Sequence, residues 1–136
     1  MTMTQPTILI ADDEDVITFM LASKLSNIGA KVIVARNGEE AFALALEHKP
    51  LVVLTDYEMP RMTGLEFAKK LHATPEFATV PVVMLTARGH RVPPGEMSKT
   101  NIQNLVSKPF SARELASLMQ EHLQSELARR ESSRAA

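Results

Sequence analysis

The run Leu51-Val52-Val53-Leu54-Thr55 is apolar at four consecutive positions and leads directly into Asp56. A strand with apolar side chains on both faces has to be covered on both, which is the situation of a central strand in a parallel sheet flanked by helices. Working outward from it, Thr7-Ile8-Leu9-Ile10-Ala11 and Lys31-Val32-Ile33-Val34-Ala35 read as a first and a second strand. Residues 80–86 read as a fourth, with Pro81 confined to the strand's entry because it cannot donate to a ladder. Asn104-Leu105-Val106-Ser107 reads as a brief fifth.

Between these runs the apolar residues take helical spacing. Residues 16–28 place Val16, Ile17, Phe19, Met20, Ala22, Leu25 and Ile28 at many i, i+3 and i+4 intervals, leaving Ser23, Lys24 and Asn27 for an outer face. Gly29 stands where a left-handed residue ends a helix. Asn37 can cap a helix over 38–49 with Glu39 and Glu40 in its first turn. A loop over 56–63 precedes a helix over 64–73. Pro93 and Pro94 restrict any fourth helix to a short one starting at or after Pro93. Ser111 with Glu114 forms a capping box for a last helix to about Arg129. Strands alternating with helices imply an α/β fold, a doubly wound five-stranded parallel sheet with right-handed crossovers.

Composition sets the outer limits. A chain of 136 residues suggests one domain, and 15 Lys and Arg against 16 Asp and Glu give no general reason to expect nucleic-acid or membrane binding. No cysteine is present, which excludes a disulfide framework or a thiolate metal site. The polar start at Met1–Gln5 lacks the apolar stretch of a signal peptide, and no window approaches the length of a membrane span. A cytoplasmic location is the default expectation.

Open α/β sheets bind ligands outside the carboxyl ends of their strands. At those ends stand Asp12 and Asp13, Asp56, Thr86 and Lys108. Three carboxylates in one crevice repel one another and need a compensating cation, of which Lys108 supplies one charge. Oxygen ligands without His or Cys suit Mg²⁺ better than zinc. Such a set fits phosphoryl transfer, where catalysis is mostly positioning and charge stabilisation, and an aspartate can itself be the nucleophile. Each residue has a plainer reading: an acidic first turn for Asp12-Asp13-Glu14-Asp15, a turn aspartate for Asp56, a strand-end hydroxyl for Thr86, a solvated lysine for Lys108. Their coincidence at one sheet edge favours the site.

At these positions the chain resembles the receiver domains of two-component response regulators, single-domain chemotaxis regulators among them. Asp12-Asp13 looks like the family's acidic pair, and Asp56-Tyr57-Glu58-Met59-Pro60-Arg61-Met62-Thr63-Gly64 is similar to its acceptor loop, D-x-x-M-P-x-M-x-G. Thr86-Ala87 resembles the family's threonine and small residue, Lys108-Pro109-Phe110 its lysine signature, and residues 35–41 its entry to the second helix. The match covers roughly residues 7–128. It implies a flavodoxin-like (βα)5 fold with strand order 2-1-3-4-5 and a receiver domain over 1–130, while the Ser-, Arg- and Ala-rich residues 131–136 read as a disordered tail.

The resemblance also implies roles. Asp56 would accept a phosphoryl group from a sensor histidine kinase or a histidine phosphotransfer protein. Asp13 and Asp56 would bind Mg²⁺ directly, Asp12 through water, and Glu58 through its backbone carbonyl. Lys108 would pair with Asp56 and then with the phosphoryl group, while Thr86 would turn towards it. The result would be a phosphorylation switch acting on an unidentified downstream protein, and not a turnover enzyme. Glu58 and Arg88 occupy positions that tune self-dephosphorylation in relatives.

Two positions depart from the pattern. Leu105 stands where relatives often carry an aromatic that rotates with the threonine, and 88–101 replaces a regular fourth helix with a proline-bearing segment. Competing readings are a Mg²⁺-dependent aspartyl phosphatase of the haloacid dehalogenase type, which usually has an aspartate where Glu58 stands, and a phosphorylation-independent docking module. His48, His72, His90 and His122 show no ligand spacing and read as solvated, and Met59, Met62, Met84, Met97 and Met119 read as core or loop filler.

Overall fold

The computed structural model describes residues 5–87 and 92–135, the last four by backbone alone. The expectations resting on Met1–Thr4, Arg88, His90 and Arg91 lie outside the described residues. Five strands, β1 (Thr7–Ala11), β2 (Lys31–Ala35), β3 (Val52–Asp56), β4 (Val82–Thr86) and β5 (Ile102–Ser107), pair in parallel in the order β2-β1-β3-β4-β5. The helices are α1 (Asp15–Ser26), α2 (Gly38–His48), α3 (Gly64–Ala73), α4 (Pro94–Met97) and α5 (Ala112–Ala135), with a 3-10 turn at Pro75–Phe77.

Alternation along the strands divides the core in two. Successive strand side chains point to opposite faces, so Leu9, Val53, Val82 and Met84 pack with Ala41 and Ala45 of α2 and Leu65, Ala68 and Leu71 of α3. Ile8, Ile10, Val52, Leu54, Val83 and Leu85 pack on the other side with Leu21 and Leu25 of α1 and Leu115, Met119 and Leu123 of α5. All five residues of β3 are buried, as its apolar run requires. Pro81 stays just ahead of β4, and its carbonyl accepts from Val53 N–H.

The ends of the elements follow local chemistry. Asn37 Oδ1 accepts from Glu40 N–H at 2.8 Å to start α2. Gly29 is at φ +87°, the left-handed region expected for it. Thr63 and Glu66 make a reciprocal capping box on α3, a Thr-x-x-Glu signal legible in the sequence. Ser111 Oγ accepts from Glu114 N–H at 3.2 Å at the start of α5.

Three sequence expectations change. The buried stripe of α1 is Thr18, Leu21 and Leu25, while Val16 and Phe19 are 81% and 80% exposed and Met20 also faces outward. The apolar residues of α1 spread around too much of the helix for one stripe to cover all of them, and Thr18 enters the stripe because its hydroxyl is satisfied by Asp15 O at 3.0 Å. α5 runs to Ala135 and not to about Arg129, so its backbone takes in residues 131–135, which the sequence assigns to a tail. Ala128, Arg129, Arg130 and Glu131 favour helix, and Arg129 forks onto the Glu126 carboxylate. Finally, His72 and His122 are not simply solvated: each donates to an asparagine Oδ1, of Asn101 and Asn104 respectively, at 2.6 Å.

Candidate functional site

Parallel strands all end at one edge, and there β1, β3, β4 and β5 deliver Asp12, Asp56, Thr86 and Lys108 in turn. Asp12 is 2% exposed. Its backbone N–H donates to Ala35 O, and its Oδ1 accepts from Glu14 N–H at 2.9 Å. Its second oxygen, Oδ2, is buried without a hydrogen-bond partner. Burial pushes its pKa up to about 6, helped by the negative charge of Asp56 and opposed by the Glu14 N–H and Lys108. Asp13, the next residue, is exposed.

Asp56 closes β3 and is 3% exposed. Burial raises its pKa, while the charge and hydrogen bond of Lys108 and the Tyr57 N–H pull it back down. Lys108 Nζ donates to Asp56 Oδ2 at 3.2 Å and to Glu14 Oε1 at 3.1 Å. Burial lowers the lysine's pKa, but these two carboxylates outweigh it and leave the value raised. The backbone fixes the lysine too, since its N–H donates to Thr86 O at 2.8 Å.

The loop after Asp56 returns so tightly that only glycine fits at its end. A Cβ on Gly64 would lie 2.0 Å from Asp56 O, and Gly64 N–H donates to Tyr57 O at 2.8 Å. Gly38, at the start of α2, abuts Met62 of the same loop, where a Cβ would meet Met62 Cβ at 2.6 Å. Strand β3, its loop and two helix starts are thereby locked together.

One oxygen from each of Asp12, Asp13 and Asp56 lies within 4.8 Å of the others. The unpartnered Asp12 Oδ2, the raised pKa of two of the three carboxyls and the all-oxygen donor set fit a hard divalent cation. Thr86 is buried at the end of β4, one residue beyond Leu85, which pairs with Asp56. Glu58 is exposed in the loop and stands apart from the carboxylate group. Leu105 is 43% exposed on β5. Glu14 was not singled out by the sequence: within a run of four acidic residues nothing marks the one that reaches a lysine 94 positions away.

The family model of the response regulator receiver domain matches residues 8–120. This chain belongs to the response regulator receiver domain family. Among curated proteins, this receiver domain is 35% identical over 109 residues to the phosphate regulon transcriptional regulatory protein PhoB of Pseudomonas aeruginosa, covering 80% of this chain and 48% of that protein. It is 37% identical over 108 residues to the transcriptional regulatory protein SrrA of Staphylococcus aureus, covering 79% and 44%. The chain thus spans about half the length of these relatives. Among solved structures, the chemotaxis response regulator CheY4 of Vibrio cholerae matches with a TM-score of 0.78 at 30% identity over 88% of this chain and all of that one. The receiver domain of the Francisella response regulator 1452 matches at 0.78 and 27% identity, covering 89% of this chain and 98% of that one. The fold expected from the resemblance, with strand order 2-1-3-4-5, is the fold observed. Receiver domains are the signalling modules of two-component response regulators, and no helix among the described residues is long and apolar enough to cross a membrane.

Proposed function

We propose that Asp56 is the phosphoryl acceptor of this receiver domain and that the chain is a switch and not a turnover enzyme. The observation that carries the reading is a carboxylate only 3% exposed, at a strand's carboxyl end, grouped with two others and held by an ammonium at 3.2 Å. An ordinary turn aspartate has no reason to be buried beside like charges.

In this reading an Asp56 carboxylate oxygen attacks the phosphorus of a phosphohistidine on a kinase or phosphotransfer protein. The O–P bond forms as the P–N bond breaks, and the imidazole leaves with the electron pair and takes up a proton from solvent. Asp13 and Asp56 would hold Mg²⁺ directly, Asp12 through water, and Glu58 through its carbonyl. When bound, the ion would supply positive charge against the negative charge gathered on the phosphoryl oxygens. Lys108 moves from the Asp56 carboxylate to the phosphoryl oxygens, and the Thr86 hydroxyl turns to them, drawing its loop inward. Output follows as a population shift, because only one state of that loop gains these contacts. Leu105 has no ring to swing with the threonine, so the signal passes by aliphatic packing at this position.

The protein donor needs a surface beside the acceptor. The outward stripe Val16, Phe19 and Met20 begins three residues from Asp13, at helical i, i+3 and i+4 spacing, and offers an apolar seat for a helical donor.

Tyr57 is the chain's one tyrosine, there is no tryptophan, and it follows Asp56 directly, so its fluorescence reports on the site. Beryllium fluoride with Mg²⁺ is expected to change that signal in the wild-type chain and to leave it unchanged in Asp56→Asn. An equal response in both would remove Asp56 from the role assigned to it.

A further inference from the structure

Lys108 answers to two carboxylates at nearly equal distance, Asp56 Oδ2 at 3.2 Å and Glu14 Oε1 at 3.1 Å. The two differ in setting: the Asp56 side chain is 5% exposed, that of Glu14 55%, and that of Lys108, between them, 26%. Glu14 is the N-cap residue of α1, yet its side chain makes no capping hydrogen bond, so its carboxylate is not committed to the helix. Its backbone is committed: the Glu14 N–H bonds Asp12 Oδ1. Lys108 is likewise pinned through its N–H to Thr86 O. Both backbones are therefore fixed, and the side chains meet across the mouth of the site.

We propose that Glu14 is a positioning residue for phosphoryl capture: it shares the Lys108 ammonium with Asp56, and the lysine must leave it to serve an incoming phosphoryl group. This rests on Asp56 being the acceptor. A half-exposed ion pair is weak enough to exchange, so Glu14 restrains the lysine without trapping it. Glu14 thus lowers the rate of phosphoryl uptake while keeping Lys108 poised at the rim.

The test is autophosphorylation by acetyl phosphate at saturating Mg²⁺, followed as the phosphorylated fraction by intact-protein mass. Glu14→Gln is expected to speed uptake about twofold to fivefold, the range set by an exposed ion pair. Glu14→Asp keeps the charge but draws the carboxylate back by about one carbon–carbon bond, about 1.5 Å, which breaks the lysine contact. It is expected to show most of the same increase. In a Lys108→Ala background the effect of Glu14→Gln should vanish, since the residue acts through the lysine. An increase in Glu14→Gln alone, with Glu14→Asp at the wild-type rate, or an undiminished effect without Lys108, would mean simple charge repulsion and overturn the proposal. Uptake on Asp56 in the wild type with neither Glu14 substitution altering the rate overturns it too, and leaves the acceptor standing. No uptake on Asp56 in the wild type removes the acceptor, and this inference with it.

Discussion

Strands β1 and β3 each have two regions that are equally buried and chemically opposite. In their interiors Ile8, Ile10, Val52, Val53 and Leu54 are all 0% exposed; at their carboxyl ends Asp12 and Asp56 are 2% and 3% exposed. In the interior, burial removes apolar surface from water and stabilises the fold. At the ends the same burial raises the pKa of both carboxyls and leaves Asp12 Oδ2 without a partner, with Lys108 as the cation that reaches in. One sheet thus funds its own strained rim: the packed interior holds carboxylates where their charge is unfavourable, which suits them to the cation and phosphoryl group proposed for this site.

Two substitutions sharpen the contrast. Leu54→Ala in the interior is expected to destabilise by about 2–5 kcal/mol, because it opens a cavity under α1 and α5. The loss, read by chemical denaturation, should be the same at pH 4 and pH 7, since no titrating group is involved. At the rim the sign reverses. The Asp12 pKa rises from 3.8 to about 6 on folding, which is worth roughly 3 kcal/mol. Above about pH 6 the carboxylate is charged in both folded and unfolded chains, and its burial cost is present in full. Below about pH 4 it is protonated in both, and the cost is gone. Asp12→Asn should therefore stabilise the metal-free chain at pH 7 by up to roughly 3 kcal/mol and change it little at pH 4. Millimolar Mg²⁺ should narrow the gap between wild type and variant at pH 7, and chelation should restore it. Stabilisation of equal size at both pH values would show that the cost at Asp12 is packing and not charge.

This contrast also explains what was legible in the sequence. The interior announces itself through unbroken apolar runs such as residues 51–54, and the rim through polar residues placed where those runs stop, so the sheet and Asp12, Asp13, Asp56, Thr86 and Lys108 could be located from period and position. The meeting of Lys108 with Glu14 could not, because it depends on where two side chains 94 positions apart come to rest once the backbone is fixed. The covered face of α1 is hidden from the sequence for a related reason. Hydrophobicity says that Val16, Phe19 and Met20 favour burial, but only the neighbouring elements decide which arc of a helix is covered. The extension of α5 to Ala135 escaped because serine- and arginine-rich composition reads as a loose end, whereas the helix gains from Glu126 pairing with Arg129.

The smallest expected stability effect carries the most information about partners. Phe19 is 80% exposed and belongs to neither core cluster, so Phe19→Ser should change folding stability by no more than about 0.5 kcal/mol. If the α1 stripe seats the protein donor, the same substitution removes an aromatic anchor from that contact, and phosphotransfer from the cognate kinase should slow by about tenfold or more at subsaturating donor. Uptake from acetyl phosphate, which needs no docking surface, should stay at the wild-type rate. The two measurements separate the rim from the surface beside it. A fall in both rates would mean that Phe19 supports the loop carrying Asp13 and Glu14, and a fall in neither would leave the exposed stripe without a part in phosphoryl uptake. Loss from the protein donor alone is the outcome in which burial serves the chemistry and exposure serves the encounter.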